Sequence, residues 1–378
     1  MWFKGLLNKL TKMQLMTVII VIICFVGSFL FVDNNHEFYN RTIAEVNEAE
    51  LIDSDEIVDF HGNEDHIFVQ KLIAKIQNGE EKGEVVHLNN EYSTSRAFDN
   101  EYSVGDELFV SIEDRIDESN ELSGSILDVK RDQYILLIAW AFILILFFVG
   151  HKQGFYSAMS LVINAVIIGL ALDFYIQTTN ISLLLISGVS IILFTVISLF
   201  LVNGNNEKTY AAIASTLLGT LILFIVTSLI MWGTAGEGLR YEEMQFVTRA
   251  PEMVFMAGVL IGALGAIMDV AITMSSSLFN LYEKNHNISV KALKESGMDI
   301  GRDIMGTMTN ILFFVYISGT IPMIILYLKN SAALGFTLNI NLSLELARAL
   351  AGGIGIVITI PIGVYMTIFF INRKRAKV

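Results

Sequence analysis

Hydrophobic residues in this chain gather in long continuous runs, not at the alternating or three-to-four-residue spacings of half-buried strands and surface helices. Eight runs stand out: 15–32, 134–149, 155–172, 181–202, 210–232, 253–282, 304–328 and 349–371. A helix needs roughly 20 apolar residues to cross a ~30 Å hydrocarbon core. The pattern therefore predicts an α-helical polytopic membrane protein with about eight transmembrane helices. Between the first two runs the pattern changes. Residues 33–132 are hydrophilic, with strand-like stretches at 67–76 (IFVQKLIAKI), 84–88 and 107–112 (ELFVSI). Turn signals at Asn78-Gly79, Lys82-Gly83 and Gly105-Asp106 separate them. This predicts a small mostly-β domain, barrel or sandwich, with an oligonucleotide-binding-like (OB-like) barrel the closest expectation. That name denotes a shape and carries no function. The acidic stretch 38–59 ahead of the strands reads as a helical or extended stalk.

Four segments follow from the pattern. Residues 1–32 form the N-terminus and a transmembrane signal anchor, and 33–132 the hydrophilic domain. Residues 133–372 form a seven-helix transmembrane domain, and 373–378 a basic tail. An uncleaved anchor is expected because no small-x-small site precedes Asp33 and the first run is long for a signal peptide.

Composition strengthens the membrane assignment, with 53% hydrophobic residues and a mean hydropathy of +0.58. Charge adds an orientation. Residues 33–132 hold 26 acidic and 8 basic residues, a balance of −18, while the rest of the chain balances at +5. Lys4, Lys9 and Lys12 precede the first run. Lys152, Lys208, Lys284, Lys291, Lys294 and Arg302 fall in alternate short loops, and the tail is Arg373-Lys374-Arg375-Ala376-Lys377. The opposite loops hold only Arg240, Arg249, Lys329 and Arg348, among acidic residues. Positive charge marks the inside, so both termini are expected in the cytoplasm and residues 33–132 outside it. No basic surface points to nucleic acid. The single cysteine, Cys24, sits in an apolar run and cannot form an internal disulfide.

Candidate chemistry lies in the last three runs. Gly258, Gly262, Gly265, Asp269, Thr273, Ser276 and Asn280 follow at spacings of 4, 3, 4, 4, 3 and 4, which puts them on one helix face. A plain helix–helix seam accounts for such a stripe, because glycine lets backbones approach and polar members bond across the contact. Asp269 adds a second reading. A charged carboxylate near the bilayer centre costs roughly 2.5–3.5 kcal/mol, so it takes a proton, pairs with a cation, or faces a water-filled path. A buried Asp269 bonded to Thr273 and a neighbouring helix is the structural alternative. In the next run Asp299, Asp303, Gly306 and Asn310 share a face. Carboxylates four apart repel on a continuous helix, so either Gly301 interrupts it or Arg302 or a proton relieves the repulsion. Alternatively, Asp299 or Asp303 caps a helix N-terminus. Thr309 and Asn310 lie deeper in the apolar run. The eighth run aligns Gly352, Gly355, Thr359, Gly363 and Thr367, with Pro361 in mid-span. Asn164, Thr216, Thr220 and Thr227 add polar positions elsewhere.

No phosphate-binding loop, no His-Glu-x-x-His and no His/Cys metal spacing occurs, so neither a catalytic role nor a cofactor or metal is expected.

The block Gly262-Ala263-Leu264-Gly265-Ala266-Ile267-Met268-Asp269-Val270, then Glu283, Ser296-Gly297-Met298 and Gly301 through Asn310, resembles the signature of the YibE/F family. The segment from Phe68-Val69-Gln70 through Lys82-Gly83 to Asn89-Asn90 and Gly105-Asp106 is similar to the soluble part of its YibE-type members. The resemblance implies a multi-pass protein of the bacterial cell membrane. It also implies a partner subunit, either a second YibE/F-family chain or another copy in a homo-oligomer. A weaker likeness connects Asp269, the basic linker and the polar start of the 304–328 helix with the membrane half of SecD/SecF and resistance-nodulation-division proteins. That likeness implies proton-coupled work.

Two functions follow as expectations. One is a transporter or proton-coupled membrane machine, with Asp269, Thr273, Asp299, Arg302, Asp303, Thr309 and Asn310 along its path and its substrate unassigned. The other is a membrane scaffold whose external domain binds an envelope component or partner. Gly258, Gly262, Gly265, Gly306, Gly352 and Gly355 are the expected helix-packing positions.

Overall fold

The computed structural model describes residues 12–96, 99–115, 122–178, 181–244 and 250–376. Lys4, Lys9, Arg249 and Lys377, which enter the charge argument, lie outside the described residues. The chain forms two compact units, Met1–Ile145 and Leu146–Val378.

In the first unit, helix α1 (Lys12–Asp33) leads into five strands: β1 (Thr42–Val58), β2 (Glu64–Ile76), β3 (Val85–Ser93), β4 (Glu107–Arg115) and β5 (Leu122–Val129). They close a barrel in the order β1-β2-β3-β5-β4. Closure comes from β1 on β4, Thr42↔Val110 to Glu45↔Glu107, and from parallel pairing of β3 with β5, Val86↔Leu122 to Leu88↔Gly124. Gly124 is required at that closure, since a Cβ there would lie 2.5 Å from the Ser111 carbonyl oxygen. Alternation along β2 sends Gln70, Leu72, Ala74 and Ile76 inward and leaves Lys71 and Lys75 outside, the period-2 pattern of a half-buried strand. Val46, Val86, Leu88, Leu108, Val110 and Leu122 complete the core.

Gln70 and Asn90 are buried but satisfied. The Gln70 amide donates to the Tyr102 carbonyl at 3.1 Å, and Asn90 donates to Gln70 Oε1 at 3.0 Å and to the Asn100 carbonyl at 2.9 Å. They pin the 99–106 loop to the barrel. All three sequence-read strands are present but longer than expected, and β5 was not anticipated. The acidic stretch 38–59 is extended, not helical. It provides β1, whose outer half pairs with β2 on one side only; the β1–β2 hairpin runs past β3 as a short two-stranded ribbon, Glu56–Val58 on Glu64–His66. Gly79, Gly83 and Gly105 have φ of 83°, 94° and 94°, as the expected turns require.

The membrane-type helices are α2 (Asp132–Gln177), α3 (Leu183–Asn203), α4 (Glu207–Thr234), α5 (Pro251–Lys284), α6 (Val290–Ser318), α7 (Ile321–Lys329) and α8 (Leu334–Arg375). By length and apolarity five of these can cross a membrane, or six if the bent pair α6 and α7 is one span. Every apolar run falls in a helix, but runs and helices do not correspond one to one. Two runs share α2, which is interrupted at His151 (φ 48°, ψ −123°). An unbroken helix of that length would reach roughly 70 Å, more than twice a hydrocarbon core. The break is sharp: a Cβ on Gly154 would collide with the Leu146 carbonyl, which eight residues of straight helix would hold about 12 Å away. The run at 304–328 is divided by a 48° bend between α6 and α7.

In the second unit α8 is the central packing helix, with α4, α5 and α6 against it. Fully buried Val270, Met274 and Leu278 of α5 share a core with Ile356 and Val364 of α8, and Ile267 lies in a second core with Leu223 and Leu344. Glycines of α8 open the space. A Cβ at Gly352 would lie 2.8 Å from Leu312 Cδ1, and at Gly355 2.9 Å from Ile267 and 3.0 Å from Leu223. Gly363 faces Met274 at 3.3 Å. On the facing helices Gly219 leaves room for Thr359, Gly297 for Val364 and Gly301 for Ile360.

Candidate functional site

The small-and-polar stripe of α5 is a real face, but it is turned away from the packed core. Helical periodicity fixes this: the residues on the opposite side, Val259, Ala263, Ile267, Val270, Met274 and Leu278, are the ones buried. Gly258, Gly262, Gly265, Asp269 and Asn280 are exposed, and Thr273 and Ser276 are half-buried. Among the stripe glycines, Gly262 is close-packed, its missing Cβ making room for the Tyr316 hydroxyl of α6. No atom lies within 4 Å of a Cβ built at Gly265 or at Gly306, and Gly258 meets only Arg348 Nε at 3.8 Å. Gly265 and Gly306 are therefore not close-packing positions among the described residues. Gly297, Gly301 and Gly363 are: the first two make room on α6 for Val364 and Ile360 of α8, and Gly363 makes room on α8 for Met274 of α5.

Asp269 lies near the middle of α5, with neither a hydrogen bond nor an ion pair to any described residue. Beside it is a pocket of about 240 Å³ lined by Ser198, Leu199, Val202 and Asn203 of α3 and by Gly265, Met268, Asp269 and Ile272 of α5. Behind Ser198 stands a hydroxyl and amide cluster. Ser160 Oγ and Asn164 Nδ2 of α2 each donate to Ser198 Oγ at 2.8 Å, while Asn164 Oδ1 is buried without a partner. The arrangement places one carboxylate beside a small cavity whose other polar lining, Ser198 and Asn203, comes from α3, with Ser160 and Asn164 of α2 bonded to Ser198. Such a site can accept a proton or hold a small polar species next to an otherwise apolar surface.

The remaining sequence-selected residues lie elsewhere. Thr309 and Asn310 line a groove of about 440 Å³ between α6 and α8, with Phe313, Ala349, Gly353 and Val357. Thr309 donates to the Met305 carbonyl of its own helix at 2.9 Å. Asp299 pairs with Arg302 at 2.9 Å, both about 70% exposed, and Asp303 is exposed beside them. Helix α6 runs through Gly301 without interruption and is capped by Ser289, whose side chain accepts from the Ala292 N–H. Of the readings for the carboxylate pair, relief by Arg302 agrees with this, whereas interruption at Gly301 and N-capping by either aspartate do not. The threonines of α4 and α8 mostly bond their own backbones, Thr220 to Thr216, Thr359 to Gly355 and Thr367 to Gly363. Thr367 also meets a neighbouring helix, its hydroxyl 3.1 Å from Ser275 Oγ of α5. Ser160, Ser198 and Asn203 were not singled out by sequence, because an isolated hydroxyl in an apolar run reads like any self-bonding serine.

Long apolar helices, a buried glycine seam and an acid placed in mid-helix define a multi-helix membrane protein, here carrying a small β-barrel near its N-terminus. Comparison with family models is specific. Residues 138–373 match the YibE/F-like protein family and residues 37–129 match the YibE/F family N-terminal domain, so the chain belongs to the YibE/F family. The family comparison does not show the weaker likeness to SecD/SecF and resistance-nodulation-division proteins. No curated protein and no solved structure is similar enough to match.

Proposed function

We propose that this YibE/F-family chain is a transporter or proton-coupled membrane machine that works through Asp269. The observation that supports it is the unpaired carboxylate beside the Ser198–Asn203 pocket, in the middle of a helix apolar enough to cross a membrane. Left in lipid as an anion it is costly, so a proton, a cation or water must meet it. Asn164 Oδ1, buried without a partner, gives the neighbouring cluster an acceptor still open for a donor. Thr273, Asp299, Arg302, Asp303, Thr309 and Asn310 remain candidates for a path to Asp269, although they are spread over three places on the bundle.

The proposal includes eight spans, with α2 making two of them through its break at His151 and α1 serving as the anchor. Both termini are then cytoplasmic, the barrel is outside a bacterial cell membrane, and the barrel is OB-like in shape. No enzymatic step is assigned.

A second reading has its own observation. The exposed face carrying Gly258, Gly265, Asp269 and Asn280 has room for another chain, so a scaffold that joins a second family subunit or a second copy would also cover the acid. Asp269→Asn separates the two. It preserves shape and polarity while removing the charge change. Under the proton-coupled reading the variant reaches wild-type abundance yet fails to complement a deletion. Full complementation at equal abundance removes that reading and leaves the scaffold.

A further inference from the structure

The outer half of β1 is exposed and paired on one side only. Strand β1 pairs with β2 along its whole length, Ala44↔Ile76 to Val58↔Glu64, but with β4 only from Thr42 to Glu45. Beyond Val46, which bonds the 105–106 loop, one edge of β1 has no neighbouring strand among the described residues. Every residue from Asn47 to Glu56 is exposed. An unpaired edge of this length, roughly 35 Å for Glu48–Val58, is a template for an added strand.

Its chemistry is one-sided. Residues 48–65 contain Glu48, Glu50, Asp53, Asp55, Glu56, Asp59, Glu64 and Asp65 and no lysine or arginine. Apolar side chains stand among them in the open: Leu51, Ile52, Val58 and, at the turn, Phe60, which is 95% exposed. Charge alone guards an edge against unwanted pairing. It gives no reason for four large apolar side chains along the same hairpin, whereas aromatic and aliphatic anchors are what a binding surface presents.

We infer that the free edge of β1 between Glu48 and Val58 docks an extended, lysine- or arginine-rich segment of another polypeptide, which adds to the sheet as a strand beside β1. Backbone pairing holds the segment, its cations face the acidic row, and Phe60 anchors one end. A second copy of this chain does not fit. It would bring the same acids to the contact, and residues 33–132 balance at −18. The inference is independent of any role for Asp269.

The test uses the full chain in uncharged detergent and three labelled octapeptides, read by fluorescence anisotropy. One alternates lysine and valine, one has the same sequence with every second backbone nitrogen methylated, and one replaces lysine by glutamate. The lysine–valine peptide should bind, and binding should weaken about tenfold or more on N-methylation, which removes strand pairing without changing charge. It should weaken as much on combining Glu50→Lys, Asp53→Lys, Asp55→Lys and Glu56→Lys, and measurably on Phe60→Ser. Failure of the lysine–valine peptide to bind overturns the inference. So does equal binding of the N-methylated peptide, which would mean ion exchange only. A change in particle mass of the unliganded charge-reversed protein would assign the edge to a second copy and equally overturn it. If the charge-reversed chain does not fold, the N-methyl comparison on the unmodified protein decides alone.

Discussion

The ammonium of Lys130 donates to the carbonyl oxygen of Val32 at 3.0 Å, joining the end of β5 to the last turn of α1 across 98 positions. The Lys130 side chain is 1% exposed and also pairs with Glu107, which accepts from His36 Nε2 at 2.5 Å. Beside them Asp132 accepts from Asn35 at 3.1 Å and from the Tyr39 hydroxyl at 2.5 Å, and that bond, with desolvation, pushes the Tyr39 phenol up to about 12. A helix C-terminus has carbonyls without intrahelical partners, and a cation there is favourable. Removing one member of a buried pair strands the other, at about 3–5 kcal/mol. Lys130→Met should therefore lower the stability of the barrel unit by that order. In the Lys130→Met, Glu107→Gln double variant much of the loss should return. Thermal unfolding of the four proteins of the cycle measures it, and simple additivity would contradict the coupling.

At the ribbon tip, Asp59 Oδ1 accepts from the N–H groups of His61 and Asn63, both at 2.8 Å, and Oδ2 accepts from the Asn63 amide. These bonds hold its carboxyl below the ordinary aspartate range. The sign follows from linkage. A depressed native pKa gives order that is complete above the unfolded pKa and lost as pH falls through the native one. Amide exchange at Gly62 and Asn63 should stay slow at neutral pH and accelerate, after correction for intrinsic rates, only below about pH 3.8. Asp59→Ala should remove the pH dependence, leaving the turn fast throughout.

Packing predicts a contrast within one bundle. Gly355→Ala puts a methyl 2.9–3.0 Å from Ile267 and Leu223, both fully buried. Overpacking of this kind costs about 1–3 kcal/mol. Gly265→Ala meets open space and should be near neutral, or slightly stabilising because it raises helix propensity. Melting of the two variants in detergent, side by side, checks the order.

Topology can be read on cells. On a Cys24→Ala background, Gly83→Cys should react with a membrane-impermeant maleimide in intact cells and Arg373→Cys only after permeabilisation. The reverse pattern would invert the charge-based orientation.

The sequence made the membrane helices legible because crossing a bilayer demands uninterrupted apolarity, and such runs need no partner to be recognised. It could not say that the runs at 134–149 and 155–172 join in α2, because the break rests on local geometry at His151 and Gly154. Three strands of the barrel were legible from their flanking glycine turns. Strand β5, Leu-Ser-Gly-Ser-Ile-Leu-Asp-Val, was not, because Gly124 and its serines look like loop until the Ser111 carbonyl is placed against them. For the candidate site, periodicity correctly grouped Gly258 through Asn280 on one face. Which way that face points depends on α8, whose own glycines draw α5 in from the other side. Thr309 and Asn310 share a run of suggestive polarity with Asp303, yet they line a groove apart from the Asp269 pocket.

Strand β1 serves two roles in one continuous strand, bulged between Val46 and Glu48 and between Leu51 and Asp53: residues 42–45 close the barrel, and residues 48–58 pair on one side only, with β2. Anything that grips the ribbon therefore holds one end of a continuous tether. A pull along its axis loads the pairs from Thr42↔Val110 to Glu45↔Glu107 together, in shear, and cannot peel them one by one. Glu107, at the last of those pairs, is bonded to Lys130 and through it to the end of α1. Tension applied at Phe60 thus has a covalent and hydrogen-bonded line to the first apolar helix, through a strand whose two bulges are its points of give.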